Sequence, residues 1–203
     1  PYSYSNWRRL GEMMNDEKIR AFIKGMESQG VGVYGHMCLN EFGGPGSYDG
    51  VELRGDSSRI EQIRNSLFPD AMVKDKHLQD IISWEGCKVM NPDRRYGFYS
   101  YLLEQLRAQL ERLPEIKGFI IDRLDWSSIY DYGHDDGLTM IGEKSICSMA
   151  VPMAEISQEF CRINHDAGKR VFINHSYRID VLRDVDGYCY ETEFLPALSY
   201  LAP

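Results

Sequence analysis

The feature that most constrains the fold is a short apolar segment that ends in a carboxylate. Residues 118–122 are apolar up to Asp122, with Pro114 upstream and a dense set of acidic, aromatic and glycine residues over 123–137. An apolar run rich in β-branched residues is typical of a strand buried on both faces of a parallel sheet. The pattern predicts that this strand delivers Asp122 into a loop at its carboxyl end, where α/β enzymes usually carry their sites. The alternative is that Asp122 caps a turn and that the acidic residues after it are merely solvated.

Helical and strand-like segments alternate along the whole chain. Alternation of this kind predicts an α/β fold with a parallel sheet and helices outside it. Apolar spacing predicts helices over 16–28, 58–67, 96–113, 152–168 and 177–183, strands over 31–37, 116–122, 169–175 and 185–191, and a long loop over 123–151. Two further brief strands are predicted within 81–84 and 87–90.

The number of strand–helix units bears on which α/β architecture is present. Four or five units can be counted in 203 residues, whereas a closed (β/α)8 TIM barrel needs about 250 residues. We therefore expect residues 1–203 to form a single partial TIM-barrel catalytic domain, a fragment that lacks about one strand before Val31 and about two after Glu191. An open doubly wound sheet is less favoured, because no glycine-rich phosphate loop follows any predicted strand.

Composition narrows the classes of partner. The net charge of −8, with no basic run to offset it, argues against a nucleic acid or an anionic membrane as partner. No segment approaches the roughly 20 apolar residues of a membrane span.

The five cysteines lie far apart without a C-x-x-C pair, which excludes a zinc ribbon and a disulfide framework and favours buried thiols in a reducing compartment. Localisation stays open between cytoplasmic and secreted, since a fragment would have lost any signal peptide, and the oligomeric state is open too. The cysteines are Cys38, Cys87, Cys147, Cys161 and Cys189.

Three successive predicted strands end in polar side chains, namely Asp122, the pair Asn174 and His175, and Glu191. The carboxyl ends of parallel strands share one rim, so Asp122 and Glu191 should face each other from two strands apart. Paired carboxylates across a sugar-sized gap are what glycoside hydrolysis requires, and the sequence therefore predicts both residues as catalytic on a carbohydrate substrate. No metal or other cofactor is expected. The predicted substrate-binding residues are Asn40, Asp125, Trp126, Tyr132, Asp136, Asn174, His175 and Tyr190.

Three segments together resemble a known family: residues 119–126, 171–174 and 186–191 are similar to the barrel of glycoside hydrolases and glycosidase-like proteins related to the α-galactosidases. The resemblance implies a (β/α)8 fold with a nucleophilic aspartate after the fourth strand and an acid/base carboxylate after the sixth. By position, Asp122 matches the first and Glu191 the second. Glutamate stands where that family commonly has aspartate, and Asp125 and Glu193 are rivals, so the division of roles and the stereochemical outcome remain open.

Two alternatives to a glycosidase remain. One is a metal-dependent hydrolase on a TIM barrel, although the chain has no H-x-H pair after an early strand and no H-E-x-x-H motif. The other is a non-catalytic carbohydrate-binding barrel. Residues 134–137 also have a simpler interpretation as a turn, since Asp and Gly favour one. The possible metal ligands are His36, Asp122, His134, Asp135, Asp136, His175 and Glu191.

Overall fold

Helices and strands alternate in the computed structural model of the chain, which describes residues 16–42, 47–48, 51–52, 66–83, 87–122, 129–174 and 179–189. The helices are α1 (Asp16–Glu27), α2 (Gly97–Arg112), α3 (Ala150–Asp166) and α4 (Ile179–Leu182). The strands are β1 (Gly35–Cys38), β2 (Glu41–Phe42), β3 (Ser47–Tyr48), β4 (Val51–Glu52), β5 (Lys88–Val89), β6 (Gly118–Asp122), β7 (Tyr130–Asp131), β8 (Thr139–Ile141), β9 (Lys144–Ser148), β10 (Arg170–Asn174) and β11 (Gly187–Cys189).

The main sheet has four strands in the order β1-β6-β10-β11, and every neighbouring pair in it is parallel. This confirms the predicted α/β class and the parallel pairing of the four predicted strands. The first of them is shorter than predicted, because it begins at Gly35 rather than at Val31. The helices predicted over 16–28, 96–113 and 152–168 are present with ends shifted by one or two residues. Most of the helix predicted over 58–67 lies outside the described residues.

The two faces of this sheet carry different side chains. On one face, Phe119, Ile121, Val171 and Ile173 are fully buried in the hydrophobic core. The Phe119 ring meets the ring of Phe160 from α3 edge to face at 5.7 Å. Because side chains alternate along a strand, the residues between them point to the other face, where Asp122 ends β6 opposite to the helices.

Gly118 sets how closely β6 and β10 approach each other. Its φ is +148°, and a Cβ built on it would lie 1.7 Å from the carbonyl oxygen of Arg170. No side chain fits in that space, so only glycine allows the two strands to pair at this level.

The prediction of a long loop over 123–151 is wrong for the part that is described. Strands β7, β9 and β8 form a three-stranded antiparallel sheet there, in that order. Ile141 pairs with Lys144 around a two-residue turn in which Gly142 has a φ of +63°. The strands are only two to five residues long, and only three of their ten residues are buried, so their apolar pattern is too weak to be recognised. The available signal for this hairpin was Gly142, because a glycine at the first central position is typical of a two-residue hairpin turn.

A closed barrel is not seen in the described ranges, whose parallel strands form one open four-stranded sheet. The α/β class therefore stands, and the finer prediction of a TIM barrel is not confirmed. Two small antiparallel pairs, β2 with β5 and β3 with β4, lie outside the main sheet. None of the helices that the structure describes has the length and apolar character needed to cross a bilayer.

Candidate functional site

A row of side chains crosses the main sheet where its strands end. Asp122 is the register partner of Cys38 on one side and of Asn174 on the other, and Asn174 is in turn the partner of Cys189. Register partners share a face of the sheet, and His36 lies on that face too because it is two residues before Cys38. The fold therefore gathers polar groups at the carboxyl ends of adjacent parallel strands, as expected of a site in an α/β protein.

Asp122 is the central group of this row. Its side chain is nearly buried, with 7% of the residue exposed. The Asn174 amide donates a hydrogen bond to Oδ1 at 2.8 Å, and His36 Nε2 lies 3.4 Å from Oδ2. The carboxylate is thus oriented by groups from both neighbouring strands.

Cys38 completes the group on the β1 side. The ligand atoms of His36, Cys38 and Asp122 all lie within 4.8 Å of one another, and no other such group of three His, Cys, Asp or Glu side chains is found among the described residues. From the sequence, Cys38 is predicted only as a small buried hydrophobe, and the residue is indeed 4% exposed. The H-x-C spacing on a strand placed both side chains on one face, but only the strand register shows that this face meets Asp122.

Three further predicted substrate-binding residues lie in described parts of the chain, namely Asn40, Tyr132 and Asp136. Asn40 follows the end of β1, is 1% exposed, and accepts a hydrogen bond from the Met90 amide through its backbone carbonyl at 2.7 Å. The Tyr132 ring lies 5.5 Å from the Lys144 ammonium, and its backbone amide donates to Lys74. Asn40 is therefore at the same end of the sheet as Asp122, while Tyr132 belongs to the β7–β9 region.

Asp136, also predicted to bind substrate, organises its own loop. Oδ1 accepts the backbone amides of Leu138 and Thr139 at 2.9 and 2.6 Å. Oδ2 accepts the Thr139 hydroxyl at 2.7 Å and the Ser148 amide at 2.9 Å. Burial raises the pKa of Asp136, but these donors outweigh it and leave the pKa well below its usual range. These contacts bind the Asp136 carboxylate to residues 138, 139 and 148, and a role for Asp136 in substrate binding stays a prediction.

The other predicted site residues fall outside the described residues, so their positions and roles stay predictions. They are Asp125, Trp126, His175, Tyr190 and Glu191, together with the rival Glu193.

A second buried carboxylate, Asp131, lies in the antiparallel sheet and is fully buried. His134 Nδ1 is 2.5 Å from Oδ2, which also accepts the Asn91 amide at 3.0 Å. The backbone amides of Lys74 and Gly133 both donate to Oδ1 at 3.0 Å. Thus Asp131 ties β7 to two other segments of the chain.

The pKa values of Asp131 and His134 are shifted in opposite directions. Its hydrogen bond to Asp131 raises the pKa of His134 against the opposing effect of burial. Burial raises the pKa of Asp131, but the hydrogen bonds from His134, Lys74 and Asn91 lower it by more. The pair is therefore held in its charged form over a wide range of pH.

Comparison with known proteins shows the fold and little more. The glycoside hydrolase domain of PelA from Pseudomonas aeruginosa is similar in structure, with a TM-score of 0.52 and 15% sequence identity, over 85% of this chain and 55% of that one. This chain therefore spans about half the length of that structure. No protein-family model matches the sequence, and no curated protein matches it. The likeness supports a glycoside-hydrolase-like α/β fold but gives no support to the relation with α-galactosidases.

Proposed function

We propose that this chain hydrolyses O-glycosidic bonds, with Asp122 and Glu191 as the catalytic pair. The observation that carries the proposal is Asp122 itself, a nearly buried carboxylate oriented by Asn174 at the end of an inner strand of a parallel sheet. The structural likeness to a glycoside hydrolase domain supports the reaction class.

The two carboxylates would have different tasks. Asp122 would stay ionised and either attack the anomeric carbon or activate a water molecule, while Glu191 would protonate the leaving oxygen. Glu191 comes two residues after β11, which is two strands away from β6. Two strand spacings amount to about 10 Å, a separation from which inward-pointing side chains can reach the roughly 5–10 Å that glycosidase pairs need. A separation at the shorter end would give retention and one at the longer end inversion.

Asn174 would act as a positioning residue. Its amide holds Oδ1 of Asp122, which restricts rotation of the carboxylate. Attack on an anomeric carbon depends on such alignment, because a misplaced nucleophile loses much of the rate gained from proximity.

The proposal is tested by cleavage of a panel of polysaccharides and aryl glycosides with Asp122→Asn and Glu191→Gln. Each substitution should lower kcat/KM by at least about a thousandfold while circular dichroism stays unchanged. Glu191→Gln should be partly rescued by an aryl glycoside whose leaving group needs no protonation, and Asp122→Asn should not.

The matched control is Asp186→Asn, which changes a carboxylate at the opposite end of the same sheet. Asp186 Oδ2 accepts the Val171 amide at 2.7 Å and lies 2.9 Å from His165 Nε2, so its loss should affect stability rather than cleavage. Full activity in folded Asp122→Asn and Glu191→Gln would refute the assignment. Glycan binding by the wild-type chain without any cleavage would favour the carbohydrate-binding alternative.

A further inference from the structure

We infer that His36, Cys38 and Asp122 form a three-ligand site for a divalent cation of the zinc type, and that occupancy of this site inhibits glycoside cleavage. The site rests on the geometry alone, and its inhibitory effect rests on the proposed function. The sequence placed His36 and Asp122 among the possible metal ligands but not Cys38, and the chain has none of the usual zinc-ligand spacings.

The distances between the donor atoms are close to those of a tetrahedral site. Bond lengths of 2.0–2.3 Å at tetrahedral angles place ligand atoms about 3.3–3.8 Å apart. His36 Nε2 and Asp122 Oδ2 are already 3.4 Å apart, and one ligand atom from each of His36, Cys38 and Asp122 lies within 4.8 Å of the other two. No separation in this set therefore exceeds the tetrahedral range by more than about 1 Å, which adjustment of the side chains can close.

Rigid elements hold these ligands. His36 and Cys38 stand on β1 and Asp122 ends β6, and the register pairs Cys38 directly with Asp122. A site built on paired strands is more precise than one built on loops. Asn174 supplies the outer contact that metal-ligating carboxylates commonly have, because its amide bonds the oxygen of Asp122 that is turned away from His36.

The donor types select the kind of cation. An imidazole nitrogen, a thiolate sulfur and a carboxylate oxygen suit zinc and its neighbours, whereas magnesium and calcium take oxygen ligands. Three protein ligands leave a fourth position for water or another small ligand, which distinguishes this set from a closed structural site. The His36 side chain is 29% exposed and marks the side from which an ion can enter.

Binding would remove Asp122 from the proposed reaction. A carboxylate oxygen bonded to a cation has its negative charge engaged and is a poor nucleophile towards an anomeric carbon. The same side chain thus serves two exclusive states, one metal-free and competent for cleavage and one metal-bound and inhibited.

Binding is tested first, on the metal-free chain titrated with Co²⁺ as a spectroscopic stand-in for zinc. We expect one equivalent to produce a thiolate-to-cobalt charge-transfer band that Zn²⁺ then abolishes. Cys38→Ser should eliminate the band, and His36→Ala should weaken Co²⁺ binding by at least about 100-fold, since even outer contacts commonly contribute 10–100-fold.

The matched control is Cys189→Ser, which changes the thiol at the far end of the same row, three strands or about 14 Å away. That variant should keep the full cobalt spectrum. Absence of a stoichiometric band in the wild-type chain, or a band that survives Cys38→Ser and is lost in Cys189→Ser, overturns the site. The wild-type titration decides even if Cys38→Ser fails to fold.

Inhibition is tested on the same preparations with the best glycoside found for the wild-type chain. One equivalent of Zn²⁺ should lower wild-type cleavage at least tenfold, and chelation should restore it. In Cys38→Ser the ratio of activities with and without Zn²⁺ should be close to one. Activity that requires the cation would overturn the inhibitory role. If metal-free wild-type protein cleaves no glycoside, the proposed function fails while the cobalt titration still reports on the site.

Discussion

The same four residue types meet twice in this molecule, once at the ends of the parallel strands and once in the antiparallel sheet. Each group has a buried aspartate whose carboxylate contacts a histidine ring and an asparagine amide, with a cysteine nearby. The strand-end group is Asp122, His36, Asn174 and Cys38, and the antiparallel group is Asp131, His134, Asn91 and Cys147.

The two groups differ in the burial of the carboxylate and in its distance from the histidine. Asp131 is fully buried, accepts two backbone amides and pairs with His134 at 2.5 Å. Asp122 is 7% exposed, ends a strand and lies 3.4 Å from its histidine. Only the strand-end group brings three metal-ligating atoms together among the described residues. Residue types alone therefore do not identify a site, since Asp131 ties segments of the chain together through backbone donors, while the strand ends gather three metal-ligating atoms at Asp122.

The largest expected effect is a difference in stability between variants of Asp131 and Asp122. Asp131→Ala should lower the free energy of unfolding by about 3–5 kcal/mol, because it leaves buried donors and His134 without their acceptor. Asp122→Asn, an isosteric change that keeps an acceptor for the Asn174 amide, should cost about 1 kcal/mol or less. Urea denaturation of both variants measures the difference. Equal losses in the two would show that Asp122 is also a structural tie.

The two asparagines should separate by activity. Asn174→Ala removes a hydrogen bond to a carboxylate, worth about 1.5–3 kcal/mol of stability, and should lower the melting temperature and also kcat/KM, the latter about 10- to 100-fold. Asn91→Ala, the matched change in the antiparallel group, should lower the melting temperature and leave cleavage unaffected. If both variants lose only stability, Asn174 does not position Asp122.

A smaller effect is expected at Asp136, whose oxygens are engaged by its own loop. Asp136→Ala should cost about 1 kcal/mol of stability through the lost hydrogen bonds, with KM for the glycoside unchanged. An increase in KM of tenfold or more would restore the predicted role of Asp136 in substrate binding.

The smallest effect is a pH dependence confined to the antiparallel group. The pKa of His134 is raised above 6.5, so its contribution is fully present below pH 6.5 and is lost as pH rises through the folded-state value. The pKa of Asp131 is lowered below 3.8, so its contribution is present above pH 3.8 and is lost as pH falls through the folded-state value. The stability difference between wild type and His134→Gln should be greatest between about pH 4 and 6.5 and should shrink at alkaline pH. A difference that grows above pH 8 would contradict the charged pair.

The parts of the fold that the sequence predicted are those with local signals. Strands β6 and β10 are apolar runs that end in polar residues, and α2 and α3 have apolar residues at helical spacing, so each could be recognised within its own segment. The parallel order then followed from the alternation.

The missed features depend on partners that are distant along the chain. Cys38 meets Asp122 only through the register of β1 on β6. Asp131 acquires its role from Lys74 and Asn91, which belong to segments whose pattern is weak. Pairing register and contacts of this kind are not encoded by any local pattern, which is why Asp122 and Asn174 could be predicted at strand ends and the contact of Cys38 with them could not.

The close approach of β6 and β10 at Gly118 has a consequence for the evolution of the sequence. Any substitution there forces β10 away from β6, and the same displacement would carry Asn174 away from Asp122, since both pairs belong to one register. Relatives that keep the strand-end aspartate should therefore keep a glycine four positions before it. Moving the aspartate by a single position would turn its side chain towards the helices. The spacing of four residues between the glycine and the aspartate should therefore identify distant relatives of this chain.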